Sequence, residues 1–486
     1  MTGSAVRGSL RQAIGAAASV EILTRIAMLA VTIFSGRLLG PAEIGTLGVV
    51  IAGIAIVSML GHYVESGSLV ASNALDDRLR AGAGLALRLA VVGLPLVVSI
   101  LFRDPLLAPF LRDDARRIQG GRLLTILAAL PVLEAISGVP VVFLQRRMQL
   151  SSVVVRQSLQ PLLYAAMGLP LLAFGFGTTG LAWAQVTGAA VVCASLWWVV
   201  AREGGLRLMA DGASFFAVAR ESAKQATAGL VGFLTERVDN LLVGATLGPA
   251  ALGFYSFAWS SSRLPITVLS RICRSAFLPA LVASDGDVER NRVILRRGLA
   301  AALGASVGVA GLIGLYGGET VVFVMGERWS AAGRCLELMS LTVAVSPLLF
   351  LALSALQAGG DAHRGGPVAA GLQLGCQLAL IPPLCARFGE TGAAFVDFLA
   401  FSIAAAVVAW WTRRFGTPGF FEIIRMLEAP ALGLMCFVPA LALLAPTPSN
   451  LVTLTVAVVG GGLLYFFGFA ILGKGLAEFR LRESGV

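Results

Sequence analysis

The feature that most constrains this chain is its succession of long apolar runs. A helix that crosses a bilayer needs about 20 mainly apolar residues, because the hydrocarbon layer is about 30 Å thick. The sequence holds about fourteen such runs, and only 13% of its 486 residues are charged, roughly half the fraction usual in soluble domains. We therefore predict an all-α integral membrane protein.

The predicted spans form two groups of six, with two more after them. The first group lies near residues 13–36, 43–63, 82–102, 121–144, 151–174 and 179–200. The second lies near 222–246, 250–272, 296–317, 334–357, 366–386 and 392–412, and the last pair near 428–445 and 450–473. Because the last pair is strongly apolar, we expect it to pack outside the other twelve and to border a lipid-facing groove.

The basic residues indicate how the chain is oriented. Lys and Arg are concentrated in the loops on the side of the N-terminus, which predicts that both termini are cytoplasmic. The net charge of +10 does not indicate a nucleic-acid partner, because the Arg residues are dispersed in short loops between apolar runs. One loop, 103–122, is basic on the opposite side, and we expect it to form a short amphipathic segment on the outer surface.

The sequence carries no motif for cofactor, metal or nucleotide chemistry. Its six cysteines show no metal-ligand spacing and are interpreted as small core residues. It has no Gly-rich loop ending in Lys and Ser or Thr, which argues against an ATP-driven pump within this chain. The first apolar run lacks a small-residue cleavage site, so we interpret it as a retained helix. We expect no cofactor and no metal.

Two pairs of matching turns indicate an internal repeat. RLLGPAEIG at 37–45 matches ATLGPAALG at 245–253 at an offset of 208, and FGTTGLA at 176–182 matches FGETGAA at 388–394 at an offset of 212. Each copy then holds six helices, and an even number keeps both copies in the same orientation. We predict two lobes related by a pseudo-two-fold axis along the membrane normal. The alternative is that such turns recur because tight turns favour Gly and Pro.

The repeat predicts three parts of the chain. Residues 1–204 form an N-lobe, residues 205–414 form a linker and a C-lobe, and residues 415–486 form the C-terminal helix pair with a short cytoplasmic tail. Amphipathic stretches at 205–224 and 415–428 mark the starts of the second and third parts.

The sequence resembles a known transporter family. ERVDNLLVGATLGPAALGFYSFA at 236–258, SAFLPALVAS at 275–284 and GRLLGPAEIGTLGVV at 36–50 are similar to the polysaccharide-transport branch of the multidrug/oligosaccharidyl-lipid/polysaccharide (MOP) flippase superfamily. The resemblance covers essentially the whole chain. It implies a bacterial inner-membrane protein of twelve to fourteen helices in two six-helix lobes, which moves undecaprenyl-pyrophosphate-linked glycans from the cytoplasmic to the periplasmic leaflet.

Arginines within the predicted spans are candidates for binding such a substrate. They are Arg25, Arg88, Arg156, Arg237 and Arg263. A guanidinium stays charged and binds phosphate oxygens through two parallel hydrogen bonds, so it suits a pyrophosphate head group. Arg88 and Arg156 lie one or two turns from the cytoplasmic side, where they line an inner mouth or extend to the lipid head groups.

Arg25 and Arg263 each have two open interpretations. Arg25 follows Glu21 by four residues, so it forms a neutral pair with Glu21 or faces a central cavity. The turn between helices seven and eight places Arg263 about one helical turn from Glu236, so it joins Glu236 in a structural network or faces the cavity. We predict that both arginines face the cavity and hold the pyrophosphate.

Other polar residues of the spans bind a coupling ion or form a structural network. They are Glu21, Glu134, Glu236, Asp239, Asn240, Glu337 and Asp397. On helix seven, Gly229, Gly232 and Glu236 share a stripe with Asp239 or Asn240, and small residues beside polar ones indicate a buried or cavity-facing seam. The sequence leaves both roles open.

The predicted function is a flippase that translocates a polyprenyl-pyrophosphate-linked oligosaccharide by alternating access, for lipopolysaccharide, capsule or exopolysaccharide biosynthesis. We expect a monomer in the bacterial inner membrane, with the lipid-linked glycan, the bilayer and a coupling proton or sodium ion as partners, and no enzyme activity. A multidrug or cation antiporter of the same superfamily is the alternative, because the intramembrane charges do not settle the sign of the cavity. A membrane glycan polymerase is a remote alternative, because every predicted outer loop is short.

Overall fold

A computed structural model describes residues 23–63, 77–147, 149–203, 212–284, 286–419, 421–428 and 430. We number its fifteen helices in chain order: α1 (23–39), α2 (Pro41–Tyr63), α3 (Asp77–Leu101), α4 (Arg103–Leu107), α5 (Asp114–Leu127), α6 (Ala129–Arg146), α7 (Leu150–Ala173), α8 (Gly177–Arg202), α9 (Gly212–Leu247), α10 (Pro249–Val282), α11 (Val288–Met325), α12 (Ser330–Ala358), α13 (Ala362–Phe388), α14 (Glu390–Trp411) and α15 (421–428). The described residues include no strand, which confirms the predicted all-α fold.

Nine helical segments of the described chain are long and apolar enough to cross a membrane. They coincide with predicted spans two, three, four, six and eight to twelve, which confirms a multi-pass membrane protein. Predicted spans five and seven correspond to α7 and α9. These helices have 24 and 36 residues, which is long enough to cross, but they are not among the nine segments that are apolar enough.

Segment 103–122 was predicted to form one piece on the outer surface, and the structure differs from this prediction. It is divided between α4 and the start of α5, which continues toward α6 with a break at Ala128. Asp113 caps α5, because its side chain accepts a hydrogen bond from the backbone N–H of Ala115 at 3.3 Å. That cap starts the helix at Asp114, upstream of the predicted span.

The predicted linker also differs from its prediction. Residues 212–224 are not a separate surface piece, because α9 runs without interruption from Gly212 to Leu247. No Gly or Pro lies between residues 213 and 228, so nothing in the sequence ends a helix there.

Some predicted features lie outside the described residues. Glu21 is one of them, and its pairing with Arg25 stays a prediction. Nearly all of the predicted helices at 428–445 and 450–473 also fall outside, so their place beside a lipid-facing groove stays a prediction.

The chain forms two compact units. The first ends at Arg237 and also includes Gly248–Gly253, and the second comprises Val238–Leu247 and the chain from Phe254 onward. In the first unit, α6, α7 and α8 share an apolar core of Leu144, Val153, Val192, Leu196 and Val200. In the second, α12 and α14 share a core that includes Leu349, Ala352, Leu356, Phe401 and Ala404. The predicted divisions at 1–204, 205–414 and 415–486 stay predictions.

The matched turns have the same backbone geometry. Gly40 and Gly248, which are 208 residues apart, have φ angles of 78° and 87°. Gly177 and Gly389, which are 212 residues apart, have φ angles of 59° and 61°. Side chains other than glycine rarely adopt these angles. The agreement at both offsets supports a true repeat over a chance recurrence of turn residues.

Within the first unit, the two LGPA turns also contact each other reciprocally. A methyl group added at Gly45 would lie 1.6 Å from the carbonyl oxygen of Pro249, and one added at Gly253 would lie 2.2 Å from the carbonyl oxygen of Pro41. Each turn therefore packs its glycine against the proline of the other. The pseudo-two-fold relation of the two lobes stays a prediction.

Candidate functional site

Arg263 on α10 forms an ion pair inside the second unit. Its Nη2 donates to Oδ1 of Asp397 on α14 at 2.8 Å, and Oγ1 of Thr342 on α12 donates to the other carboxylate oxygen at 3.1 Å. The side chain of Asp397 is 4% exposed, whereas that of Arg263 is 25% exposed. The guanidinium therefore reaches the surface of the unit while its carboxylate partner is buried.

The local sequence of α10 positions Arg263. The guanidinium carbon lies 5.0 Å from the ring centroid of Trp259, one helical turn earlier, within the range of a cation–π contact. Thr267, one turn later, donates its hydroxyl to the backbone carbonyl of Arg263 at 2.7 Å. Pro265 has no N–H, so the regular helix bond to the carbonyl of Ser261 is not made. Contacts on both sides thus hold Arg263 next to an interrupted turn of the helix.

Asp239 on α9 is a second, fully buried carboxylate of the same unit. One of its oxygens accepts from Oη of Tyr255 at 2.9 Å, and the other accepts from the backbone N–H and side-chain amide of Asn240 at 2.7 and 3.0 Å. Tyr255 lies on α10, directly across the LGPA turn, and it is also fully buried. Asp239 is within electrostatic range of Asp397 and Arg263, so these groups form one network.

We call this set, Asp239, Tyr255, Arg263, Thr342 and Asp397, the Arg263 network. A guanidinium presents its N–H donors in a fixed planar fork, and two of them can bind one oxyanion together. With both carboxylates ionised the network has one negative charge in excess, which a proton or a monovalent cation would balance. Across the described residues, no group of three His, Cys, Asp or Glu side chains is placed to hold a metal ion.

The structure places the other candidate arginines in the first unit. They are Arg25, which is exposed on α1, Arg88, which is buried on α3, and the half-buried Arg156 on α7 and Arg237 on α9. Arg156 donates to the backbone carbonyl of Ser152 at 3.0 Å, so it hydrogen-bonds along its own helix. The structure joins Arg263 with Asp239, Asn240 and Asp397. The substrate-binding roles of the other four arginines stay predictions.

The predicted polar stripe of α9 is divided between two environments. Asp239 and Asn240 are buried, whereas Glu236 is exposed. The partner that the described contacts give Arg263 is Asp397, and the bridge between Arg263 and Glu236 stays a prediction.

Glu134 lines a cavity of about 370 Å³ inside the first unit. The cavity lies between α2, α6 and α8, and its other polar lining residues are Ser58, His62 and Gln185. The side chain of Glu134 is exposed to this space. Glu134 is therefore placed in a polar cavity, and its role as an ion-coupling residue stays a prediction.

Sequence reasoning missed three residues at these sites. Tyr255 had a usable signal, because it faces Asp239 across a short hairpin at nearly equal depth. Gln185 and Thr342 had a weaker signal, because at the offsets of 212 and 208 they correspond to Asp397 and Glu134. The hydroxyl of Thr342 meets a carboxylate 55 residues away, and only packing of α12 against α14 brings the two together.

Comparisons with known proteins agree with this architecture. A family model described as polysaccharide biosynthesis protein matches residues 35–333. The probable flippase AglR of Haloferax volcanii is 24% identical over 326 residues, which cover 64% of this chain. They cover 63% of AglR, so the match spans less than two thirds of that protein.

Solved structures show the same fold. The chain is similar to the lipid II flippase MurJ in an inward closed conformation, with a TM-score of 0.80 and 11% identity, covering 95% of this chain and 99% of MurJ. It is also similar to a multidrug resistance MATE family transporter of the MOP superfamily in an inward-facing conformation, with a TM-score of 0.63 and 15% identity, covering 82% and 96%. At these identities the likeness concerns the fold alone, and it confirms the predicted all-α membrane fold.

Proposed function

The chain belongs to the polysaccharide biosynthesis protein family of the MOP superfamily, and from this membership we propose that it is a flippase for a polyprenyl-pyrophosphate-linked oligosaccharide. The proposed cargo is a repeat unit for lipopolysaccharide, capsule or exopolysaccharide. It crosses the bacterial inner membrane by alternating access, with both termini of the protein in the cytoplasm. The names of AglR and MurJ describe those proteins as flippases, which supports the proposed flippase activity.

The observation that carries the proposal is the ion pair of Arg263. A pyrophosphate cannot cross hydrocarbon unless its charge is compensated. Arg263 offers a guanidinium that is 25% exposed, at mid-helix in an apolar span, and it stays charged at any physiological pH. This group fits a pyrophosphate in charge and in the geometry of its donors.

Asp397 is the ion-pair partner of Arg263 when no substrate is bound. While no substrate is bound, the carboxylate neutralises the guanidinium, so Arg263 is not left uncompensated in a low-dielectric environment. An arriving pyrophosphate offers oxygen acceptors of the same kind and more negative charge, so it competes for the donors of Arg263. Asp397 keeps the hydroxyl of Thr342 as a hydrogen-bond donor after such an exchange. We expect the exchange to be reversible, which a carrier needs in order to release its cargo.

The proposal is tested by transport in proteoliposomes. The purified full-length protein is reconstituted with a fluorescent polyprenyl-pyrophosphate oligosaccharide, and the fraction of probe protected from a membrane-impermeant quencher is followed over time. We expect protein-dependent exchange of this probe between leaflets, and no exchange of a zwitterionic phospholipid with the same fluorophore.

The same vesicles discriminate the antiporter alternative. A cationic dye is added under an imposed proton or sodium gradient. Dye transport without movement of the lipid-linked probe would support a drug antiporter and contradict the proposed flippase.

A further inference from the structure

A second cavity lies in the second unit, where α11 ends and α12 begins. Its volume is about 500 Å³, which is within the range of small-molecule sites. Its lining includes Glu319 and Phe323 on α11, and Ser330, Arg334 and Glu337 on α12. In the predicted topology this end of the unit is on the side opposite the termini. None of the residues that line this cavity belongs to the Arg263 network.

Close contact of the two helices shapes this cavity. A methyl group added at Gly333 would lie 2.7 Å from Cα of Gly318, so the backbones of α11 and α12 touch there. The carboxylate of Glu337 accepts a hydrogen bond from the backbone N–H of Gly318 at 3.1 Å, which holds it against α11. Arg334 and Glu319 are both within electrostatic range of Glu337. The polar groups are therefore positioned by the helix contact.

The lining chemistry favours a ligand rich in hydroxyl groups. The two carboxylates accept hydrogen bonds, whereas Arg334 and Ser330 donate them, and a sugar hydroxyl both donates and accepts. Phe323 is 37% exposed and offers a ring surface for the C–H face of a pyranose. Two carboxylates against one guanidinium leave the lining negative, which disfavours a phosphate. Among the described residues, no group of three His, Cys, Asp or Glu side chains is placed to hold a metal ion here.

We propose that this cavity is a sugar-binding subsite, which takes a pyranose unit of the transported glycan on the side opposite the termini. The proposal rests on the proposed function for the identity of the glycan, and on the lining residues for the class of ligand. In this proposal the two parts of the cargo bind at different sites: the cationic Arg263 recognises the pyrophosphate, and the anionic cavity recognises a sugar.

The test is binding of soluble sugars to the full-length protein in lipid nanodiscs, measured by saturation-transfer NMR. The probes are methyl glycosides of glucose, galactose, rhamnose and N-acetylglucosamine. We expect saturation transfer to the ring protons of at least one glycoside. Glu319→Gln and Glu337→Gln should each weaken its binding about tenfold, because an amide replaces one acceptor oxygen by a donor.

Glu327→Gln is the matched control. Glu327 is exposed in the same connection between α11 and α12 and does not line the cavity, so this variant removes the same charge and should bind the glycoside like the wild type. Glu319 is also exposed, so Glu319→Gln keeps the test valid if Glu337→Gln fails to fold.

Two outcomes would overturn the sugar subsite. One is saturation transfer with no glycoside, and the other is equal transfer in the wild type and in a well-folded Glu319→Gln variant. Either result together with normal flipping of the lipid-linked probe would remove the subsite and leave the proposed function intact. Sugar binding that depends on Glu319, in a protein that moves no lipid-linked probe, would contradict the proposed function and keep the subsite.

Discussion

The two copies of the repeat place different side chains at matching positions. At the offset of 208, Arg263 corresponds to Ala55, and at the offset of 212, Asp397 corresponds to Gln185. Arg263 and Asp397 form the partly buried ion pair of the second unit, whereas Ala55 and Gln185 line the 370 Å³ cavity of the first. The second copy closes this position with a charge pair, and the first copy leaves it as a polar cavity.

Thr342 extends the correspondence. Its counterpart is Glu134 at the offset of 208 and Leu130 at the offset of 212, and both of these residues line the same first-unit cavity. The repeat has thus kept its Gly and Pro turns while the polar side chains between the helices have changed. Sites of this kind are independent of the fold that carries them.

Asp239 and Tyr255 make a similar contrast. Their counterparts at the offset of 208 are Val31 and Leu47, and all four side chains are buried. The first copy fills these positions with apolar packing, and the second fills them with a hydrogen-bonded pair. The second unit therefore has an additional charge in its interior, which electrostatic contacts with Arg263 and Asp397 connect to the candidate site.

The largest effect on stability is expected when Arg263 loses its partner. Removing one member of a buried ion pair typically costs about 3 to 5 kcal/mol, and we expect Asp397→Asn to lie at the lower end because Arg263 is partly exposed. The counterpart variant in the first unit, Gln185→Ala, should cost less than about 1.5 kcal/mol. The midpoint of denaturant-induced unfolding of the purified protein measures both. Equal costs would contradict the contrast between the two copies.

An intermediate effect is expected at the contact between the two LGPA turns. Gly45→Ala and Gly253→Ala each place a methyl group against a backbone carbonyl, so each should cost roughly 1 to 3 kcal/mol. Gly53→Ala on α2 is the control, because no atom lies within 4 Å of the added methyl group and alanine favours the helix. Thermal unfolding of the three variants compares them. A Gly45→Ala variant that unfolds at the same temperature as the wild type would show that the reciprocal contact does not stabilise the fold.

A smaller effect is expected at Tyr255. Tyr255→Phe removes one hydrogen bond to a carboxylate and should lower the free energy of unfolding by about 1.5 kcal/mol. The double variant Asp239→Val with Tyr255→Leu introduces the residues of the first copy and should lose about 1 to 2 kcal/mol more, because the carboxylate and its hydroxyl donor are removed together and only the Asn240 donors lose an acceptor. The same unfolding measurement tests the pair. A double variant that is several kcal/mol less stable than Tyr255→Phe would mean that the two copies are not interchangeable at these positions.

Much of the fold could be predicted from the sequence, because hydrophobic length determines membrane spans. The nine confirmed spans and the matched glycine turns depend on local sequence, as does the hairpin that joins α9 and α10. The predicted starts of α5 and α9 were wrong, because a helix continues beyond the apolar run until a cap or a helix-breaking residue ends it.

Less of the candidate site could be predicted. The sequence identified Arg263, Asp239 and Asp397 as intramembrane charges, and it placed Arg263 and Asp239 on adjacent helices. The pairing of Arg263 with Asp397 joins residues 134 positions apart, and no local pattern encodes it. Such a contact depends on how α10, α12 and α14 pack in three dimensions.

The central claim is that Arg263 holds the pyrophosphate of the cargo, and flipping of a fluorescent polyprenyl-pyrophosphate oligosaccharide tests it most directly. Losing one charge-assisted contact costs roughly 1.5 to 3 kcal/mol, so Arg263→Gln should slow flipping about ten- to a hundredfold, and Arg263→Lys should restore part of the rate. The double variant Arg263→Gln with Asp397→Asn removes both charges of the ion pair and should be equally slow, whereas Arg271→Gln, which changes an exposed arginine of the same helix, should flip normally. Wild-type rates in the folded and inserted Arg263→Gln and double variants would contradict the claim.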